Sequence, residues 1–182
     1  MNTEKFLERL DELYLPPQHE FTQVDVPEVR YAVIDGKGSP ENQDFSAAKN
    51  WLYAVVHMVK PLVKKRMGES YVEPPLEYLF WAEDAQDFPS GNKQKWSWRG
   101  MIVFIDWITD EHFQEAVAKV EEKLGPPPKT FRLETLHEGR CVQIMHVGDY
   151  NQVSLICDEL YSVFLPAHNL KPNGCYHEIY LN

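Results

Sequence analysis

Pro75-Leu76-Glu77-Tyr78-Leu79-Phe80-Trp81 and Tyr176-His177-Glu178-Ile179-Tyr180-Leu181 decide how this chain is read. Each is a short, aromatic, strand-like run with one glutamate inside it. Side chains of a strand alternate in direction. Glu77 therefore points the same way as Leu79 and Trp81, and Glu178 the same way as Tyr176 and Tyr180. A carboxylate among large rings is costly to bury without a task. Its appearance twice predicts a chain of two halves with an acidic, ring-lined pocket between them.

The segments around these runs repeat in order. Residues 29–34 read as a strand, and Asp35-Gly36-Lys37-Gly38-Ser39-Pro40 as a loop. Phe45, Ala48, Leu52, Val55, Val56 and Val59 then recur at helical spacing, with Asn42 or Asp44 as the cap and Pro61 as terminator or kink. The first glutamate strand covers residues 75–83. A polar loop, 84–95, leads to a strand over 96–106 that forms an antiparallel hairpin with it. Thr109 or Asp110 starts a connecting helix with Phe113, Val117, Val120 and Leu124 on one face, closed by Gly125-Pro126-Pro127-Pro128. Residues 131–136 read as a short strand.

The order then restarts. A strand over 140–147, a turn at Gly148-Asp149 and a helix over 151–164 with Ile156, Leu160 and Val163 inward lead to the second glutamate strand, 175–181. Strand, glycine turn, helix, loop, glutamate strand thus occurs twice. The first half-repeat spans about 25–106, the connecting helix 109–125 and the second half-repeat 130–182, within one domain. An amphipathic helix over residues 4–14, stopped by Pro16-Pro17, precedes them. The first half-repeat has a hairpin partner after its glutamate strand and the second stops at Asn182. A final strand is therefore expected to be missing, or supplied by another segment or chain.

The chain has 182 residues, 43% hydrophobic and 13% aromatic, enough for a real core. Its net charge of −10 argues against nucleic acid, whose phosphates need clustered Lys and Arg. Lys64-Lys65-Arg66 is too short to reverse that. No apolar window reaches the length of a membrane span. The N-terminus, Met1-Asn2-Thr3-Glu4-Lys5, is charged and lacks the apolar run of a signal peptide, so the protein reads as cytoplasmic. Cys141, Cys157 and Cys175 are odd in number and widely spaced, which suits reduced, mostly buried thiols better than a disulfide framework or a zinc site. No metal or cofactor is expected. Gly36-Lys37-Gly38 lacks the third glycine of a phosphate loop and reads as a turn.

The candidate ligand-binding residues are Glu77, Trp81, Trp98, Tyr53, Tyr150, Tyr176, Glu178 and Tyr180. Flat rings around a carboxylate suit a planar or cationic guest through stacking and cation–π attraction, about 0.5–2 kcal/mol per contact. Trp98 shares a strand face with Trp96 and Gly100, and Gly100 leaves space there for a ligand. Trp98 and Tyr180 are the leading rings. Tyr53 lies off the apolar stripe of its helix and reaches across. Phe45, Phe104 and Phe113 are assigned to the core, and His146 and His177 read as satisfied histidines. With both glutamates in one groove, their like charges would raise the pKa of one of them.

Several of these stretches together resemble the GyrI-like small-molecule-binding proteins. They are Val26-Pro27 with Asp35-Gly36-Lys37-Gly38-Ser39-Pro40, Pro75-Leu76-Glu77, Trp96-Ser97-Trp98, Arg132-Leu133-Glu134-Thr135-Leu136-His137-Glu138-Gly139, Met145-His146-Val147-Gly148-Asp149-Tyr150 and the second glutamate strand. The match runs from about Leu13 to Asn182. The resemblance implies an α+β fold, with duplicated strand–helix–strand–strand units related by a pseudo-twofold axis. Antiparallel sheets would carry helices on one side, with a ligand groove between the halves.

It also implies a function. The fold serves as the effector-binding part of multidrug-sensing regulators, where a buried glutamate meets cationic drugs. This chain has no room for a DNA-binding domain, so it looks like the stand-alone branch. Some members of that branch hydrolyse the cyclopropyl ring of DNA-alkylating natural products. The expectation is a xenobiotic-binding protein, monomer or homodimer, that takes hydrophobic, planar, neutral or cationic compounds. In the hydrolase alternative, Glu178 and Tyr180 direct water onto the strained ring. A third reading is a module whose groove holds a protein segment.

Overall fold

The structure is a computed structural model that describes residues 12–67, 73–83, 92–105 and 107–181. Its elements run in the order β1 (Thr22–Lys37), α1 (Gln43–Met67), β2 (Leu76–Ala82), β3 (Trp96–Val103), α2 (Asp110–Leu124), β4 (Arg132–Gln143), α3 (Val153–Glu159), α4 (Leu165–Ala167) and β5 (Tyr176–Tyr180). The strands form one sheet in the order β4-β1-β3-β2-β5. The β1–β3, β2–β3 and β2–β5 pairs are antiparallel, so the class is α+β. Most of the N-terminal helix expected over 4–14, and residues 84–91 of the polar loop, lie outside the described residues. Among the described residues, no helix is long and apolar enough to cross a membrane.

The chain divides into two compact units, Met1–Glu28 with His137–Gly174 and Val29–Leu136 with Cys175–Asn182. β1 and β4 each run from one unit into the other.

The second unit holds most of the core. Ile34 and Tyr78 are both cross-strand partners of Gly100, and Phe80 is the partner of Trp98. Partners share a face, so Ala32, Ile34, Leu76, Tyr78, Phe80, Trp98 and Ile102 lie on one side of the sheet. α1 covers that side with Ala48, Trp51, Leu52, Val55, Val56, Val59 and Val63, and α2 adds Phe113, Ala116 and Val120. A period-2 apolar face has met a period-3.6 apolar stripe, and hydrophobic burial joins them. Asn42 caps α1, its Oδ1 accepting from the Phe45 N–H at 2.8 Å. Pro61 sits inside α1 without ending it. Burial of Val59 and Val63 on either side of it offsets the roughly 3 kcal/mol that a mid-helix proline costs.

α2 starts in a reciprocal cap. Thr109 Oγ1 accepts from the His112 N–H at 3.3 Å, and His112 Nδ1 accepts from the Thr109 N–H at 3.2 Å. Thr109→Ala should lower stability by about 1 kcal/mol. The measure is a lower denaturation midpoint at unchanged m-value; an unshifted midpoint would show that the cap contributes nothing. Gly125, at φ +79°, ends the helix.

β4 corrects the sequence expectation of two strands over 131–136 and 140–147. It is one strand, with Gly139 inside it at φ +64°. Glycine takes that conformation without strain, so a turn-like residue does not break the ladder. β1 likewise runs on through Asp35, Gly36 and Lys37, expected as loop.

In the first unit, Arg140 donates Nε and one Nη to Gln23 Oε1 at 2.9 and 2.6 Å, and Phe21 rests on Phe164 with ring centroids 4.9 Å apart. The helix expected over 151–164 is a 3₁₀ turn at Tyr150–Gln152, then α3, a π turn at Leu160–Phe164, and α4. Asp149 caps its start by accepting from the Asn151 N–H at 2.9 Å. Val163, expected inward, is exposed. A residue inserted by a π turn rotates the rest of the helix by about 100°, which carries Val163 outward.

The cysteines are free as expected, but none of them is fully buried, and Cys175 is exposed. Burial, with Glu138 and Asp25 nearby, pushes the Cys141 thiol up to about 11 and keeps it an inert thiol at neutral pH.

Candidate functional site

The register between β2 and β5 decides where the two glutamates go. Glu77 is the cross-strand partner of Ile179, and Glu178 is the partner of Tyr78. The carboxylates therefore lie on neighbouring strands but on opposite faces of the sheet. The expectation of one cleft lined by both is corrected: the candidate residues fall into two groups.

Glu77 belongs to the face away from α1. Leu79 and Trp81 of β2, His177 and Ile179 of β5, and Arg99 and Met101 of β3 share that face. Glu77 is only 1% exposed. His177 Nε2 stands 3.0 Å from Glu77 Oε2. The contact is an ion pair when the imidazole is protonated.

Farther along the same face lies a closed ring of four charges. Arg99 donates Nε and Nη2 to Asp35 at 2.6 and 3.1 Å, and Nη1 to Glu134 at 2.6 Å. Arg132 joins Asp35 at 2.9 Å and Glu134 at 2.8 Å. Burial alone would raise the Asp35 carboxyl, but hydrogen bonds from Arg99 and Arg132 outweigh it and hold the group below its ordinary value. Arg99 responds in mirror image. Burial would lower it, and Asp35 and Glu134 raise it. These four side chains neutralise one another, whereas His177 offers Glu77 a positive charge only when protonated.

The second group lies on the α1 side. Tyr176, Glu178 and Tyr180 share it with Tyr78, Phe80 and Trp98. The Tyr180 hydroxyl donates to Glu178 Oε2. Its ring meets Tyr78 edge-on at 5.9 Å, and Tyr176 packs on Phe80 at 6.3 Å. Tyr180 is 37% exposed and Glu178 half-buried, so this end is open to solvent. Tyr53, on α1, is half-buried and stacks on His57 at 6.5 Å. Burial, with Tyr53 nearby, pushes the Tyr78 phenol well above its ordinary value.

Trp98 is a core residue, which corrects its selection as a leading ligand ring. It is 1% exposed, with Phe45 edge-on at 5.1 Å. A Cβ on Gly36 would lie 2.1 Å from its indole. Gly100 does not leave space for a ligand either. The Tyr78 ring and Leu52 fill it, at 2.8 and 3.1 Å from where a Cβ would stand. Trp81 is half-buried on the Glu77 face. Tyr150 is exposed and belongs to the first unit.

Sequence reasoning passed over His177 as a partner of Glu77 and overlooked the Arg99 ring. His177 stands next to Glu178 in the chain, and only the strand register carries it to Glu77 instead. Among the described residues, no cluster of His, Cys, Asp or Glu is arranged to hold a metal ion.

The sequence matches the GyrI-like small molecule binding domain over residues 19–182. Among solved structures, an uncharacterized conserved protein from Listeria innocua is similar at a TM-score of 0.82 and 28% identity, over 97% of this chain and 89% of that one. A hydrolase from Listeria innocua is similar at a TM-score of 0.76 and 26% identity, over 96% of this chain and 92% of that one. Another Listeria innocua hydrolase structure reaches 0.79 and 27% over 97% and 89%. No protein of curated function matches the sequence.

Proposed function

The chain belongs to the GyrI-like small molecule binding domain family, and on that premise we propose that it binds a hydrophobic, planar, drug-like cation against Glu77. The observation that carries this reading is a carboxylate 1% exposed whose two cross-strand partners, Met101 and Ile179, are apolar. A desolvated carboxylate attracts a cation far more strongly than a wet one. Leu79, Trp81, Met101 and Ile179, on the same face, offer the guest ring, thioether and aliphatic contact. Few polar groups in an apolar surround is the usual composition of a small-molecule site.

The test is titration with a planar cation and its neutral analogue, read by tryptophan fluorescence. Glu77→Gln should weaken the cation by about tenfold or more, roughly 1.4 kcal/mol, and leave the neutral compound within about twofold. Equal losses for both compounds would sink this reading.

A second reading is favoured by the Tyr180–Glu178 contact and by the likeness to two hydrolase structures. Here the α1-side group opens a carbonyl-activated cyclopropyl ring of a DNA-alkylating compound. Water oxygen bonds the ring carbon as its C–C bond breaks. The electron pair goes to the activating carbonyl, the water proton goes to Glu178, and Tyr180 orients that carboxylate. The carbonyl oxygen then takes a proton, which restores the balance. Glu178→Gln and Tyr180→Phe should each lower kcat about a hundredfold, with substrate affinity unchanged. Full turnover in both variants would rule it out.

A further inference from the structure

We propose that His177 is a specificity-determining residue of the Glu77 site: its imidazolium is the resident counter-ion, and an organic cation binds by taking its place. The inference rests on the reading that a cation binds at Glu77. The geometry points to exchange rather than addition. His177 Nε2 already occupies the position 3.0 Å from Glu77 Oε2 where a guest cation would sit. A second positive charge beside an intact pair would find the carboxylate already neutralised. The two partners also differ in freedom. The Glu77 side chain is 1% exposed, on a strand flanked by β3 and β5, and the His177 side chain is 18% exposed, on the outermost strand. His177 is the member that gives way.

Its neighbours leave it as the group that changes charge. On the same face, β3 contributes Arg99, β1 Asp35 and Lys37, and β4 Arg132 and Glu134. Four of these close the Arg99 ring, and Lys37 pairs with Glu83 at 3.2 Å. Glu178 lies on the opposite face of β5. On α1, His57 stands 3.5 Å from Glu73, which also meets Lys60 at 2.7 Å. Carboxylates, guanidiniums and amines as classes keep their charge between pH 6 and 8.5, and imidazole does not. Above about pH 6.5, where an imidazole that has lost its counter-ion is neutral, entry of a permanent cation therefore sends a proton from His177 to solvent. Neutral guests leave the pair intact. The residue sorts ligands by charge, and does so according to pH.

The experiment compares N-methylphenanthridinium, whose charge is fixed, with neutral phenanthridine between pH 6 and 8.5. In the wild type, cation affinity should rise by up to about tenfold per pH unit over the range in which the paired His177 holds its proton and a displaced imidazole does not, then level off. Phenanthridine should bind equally well throughout. In His177→Gln the cation slope should vanish and binding stay at its high-pH level, while His57→Gln keeps the slope. A slope that survives in His177→Gln, or a flat wild type that binds the cation tightly, overturns the role of His177 and leaves cation binding standing. A wild type that binds no N-methylphenanthridinium at any pH sinks the cation site itself, and this inference with it. A readout without ligand checks the pair directly. In imidazole NMR titrations, Glu77→Gln should lower the His177 midpoint and leave His57 in place; an unmoved His177 midpoint overturns the proposal.

Discussion

Trp98→Ala should unfold at a denaturant midpoint lower by the equivalent of about 3–5 kcal/mol. The indole is fully buried, lies edge-on to Phe45 and Tyr78, and fills the space that Gly36 leaves on β1. Its Nε1 has no hydrogen-bond partner among the described residues, so its loss orphans no acceptor that is described. Gly36→Ala tests the same contact from the other side. Its new Cβ would stand 2.1 Å from the ring, and β1 is held in register by β3, from Tyr31 to Lys37. The indole must shift, at about 1–3 kcal/mol. In a Trp98→Ala background the same alanine meets a cavity and should cost almost nothing. The resulting coupling of about 0.5–3 kcal/mol is the decisive number. Additive losses would refute the packing account. A Trp98 that lined a ligand site would instead lose affinity on truncation with stability nearly unchanged.

Arg99→Ala should cost about 2–3 kcal/mol near pH 7, somewhat below the range for fully buried pairs because the ring retains some access to water. The truncation leaves Asp35 and Glu134 facing each other with only Arg132 between them. The effect depends on pH, with a sign fixed by Asp35. Its carboxyl is held below its ordinary value in the folded protein. A depressed carboxylate contributes stability that is fully present above its unfolded value and fades as pH falls through its folded value. The difference between wild type and Arg99→Ala should be constant from about pH 5 to 8 and shrink below about pH 4. A difference that widens in acid would contradict the closed ring of charges.

The helices and hairpin were legible because burial imposes periods on sequence. The α1 stripe from Phe45 to Val59, the α2 face from Phe113 to Val120 and the β2–β3 hairpin all come from that. The site was legible only in its parts. Alternation within one strand says which neighbours of Glu77 share its direction, and likewise for Glu178. It says nothing about the phase between two strands far apart in sequence, which the pairing sets and a shift of one residue inverts. Glu77 meets Ile179 rather than Glu178, and that single step sends the carboxylates to opposite faces. The same step brings His177 to Glu77. Trp98 was misread for a related reason. A strand tryptophan beside a glycine looks alike in core and in pocket, and the deciding residue, Gly36, sits on β1, some sixty positions away. The π turn at Leu160–Phe164 leaves no clear mark on the periodicity, so the inward assignment of Val163 failed there.

The position of β5 at the end of the sheet has a dynamic corollary. In deuterium exchange, amides of β3, bonded on both sides by β1 and β2, should take up label last, and those of β5 among the first of the strands. Openings of that kind peel away five residues without melting the helical core. His177 and Glu178 ride on the peeled segment. An end strand of the sheet thus carries His177, and the exchange proposed at Glu77 can proceed through fluctuations far smaller than global unfolding.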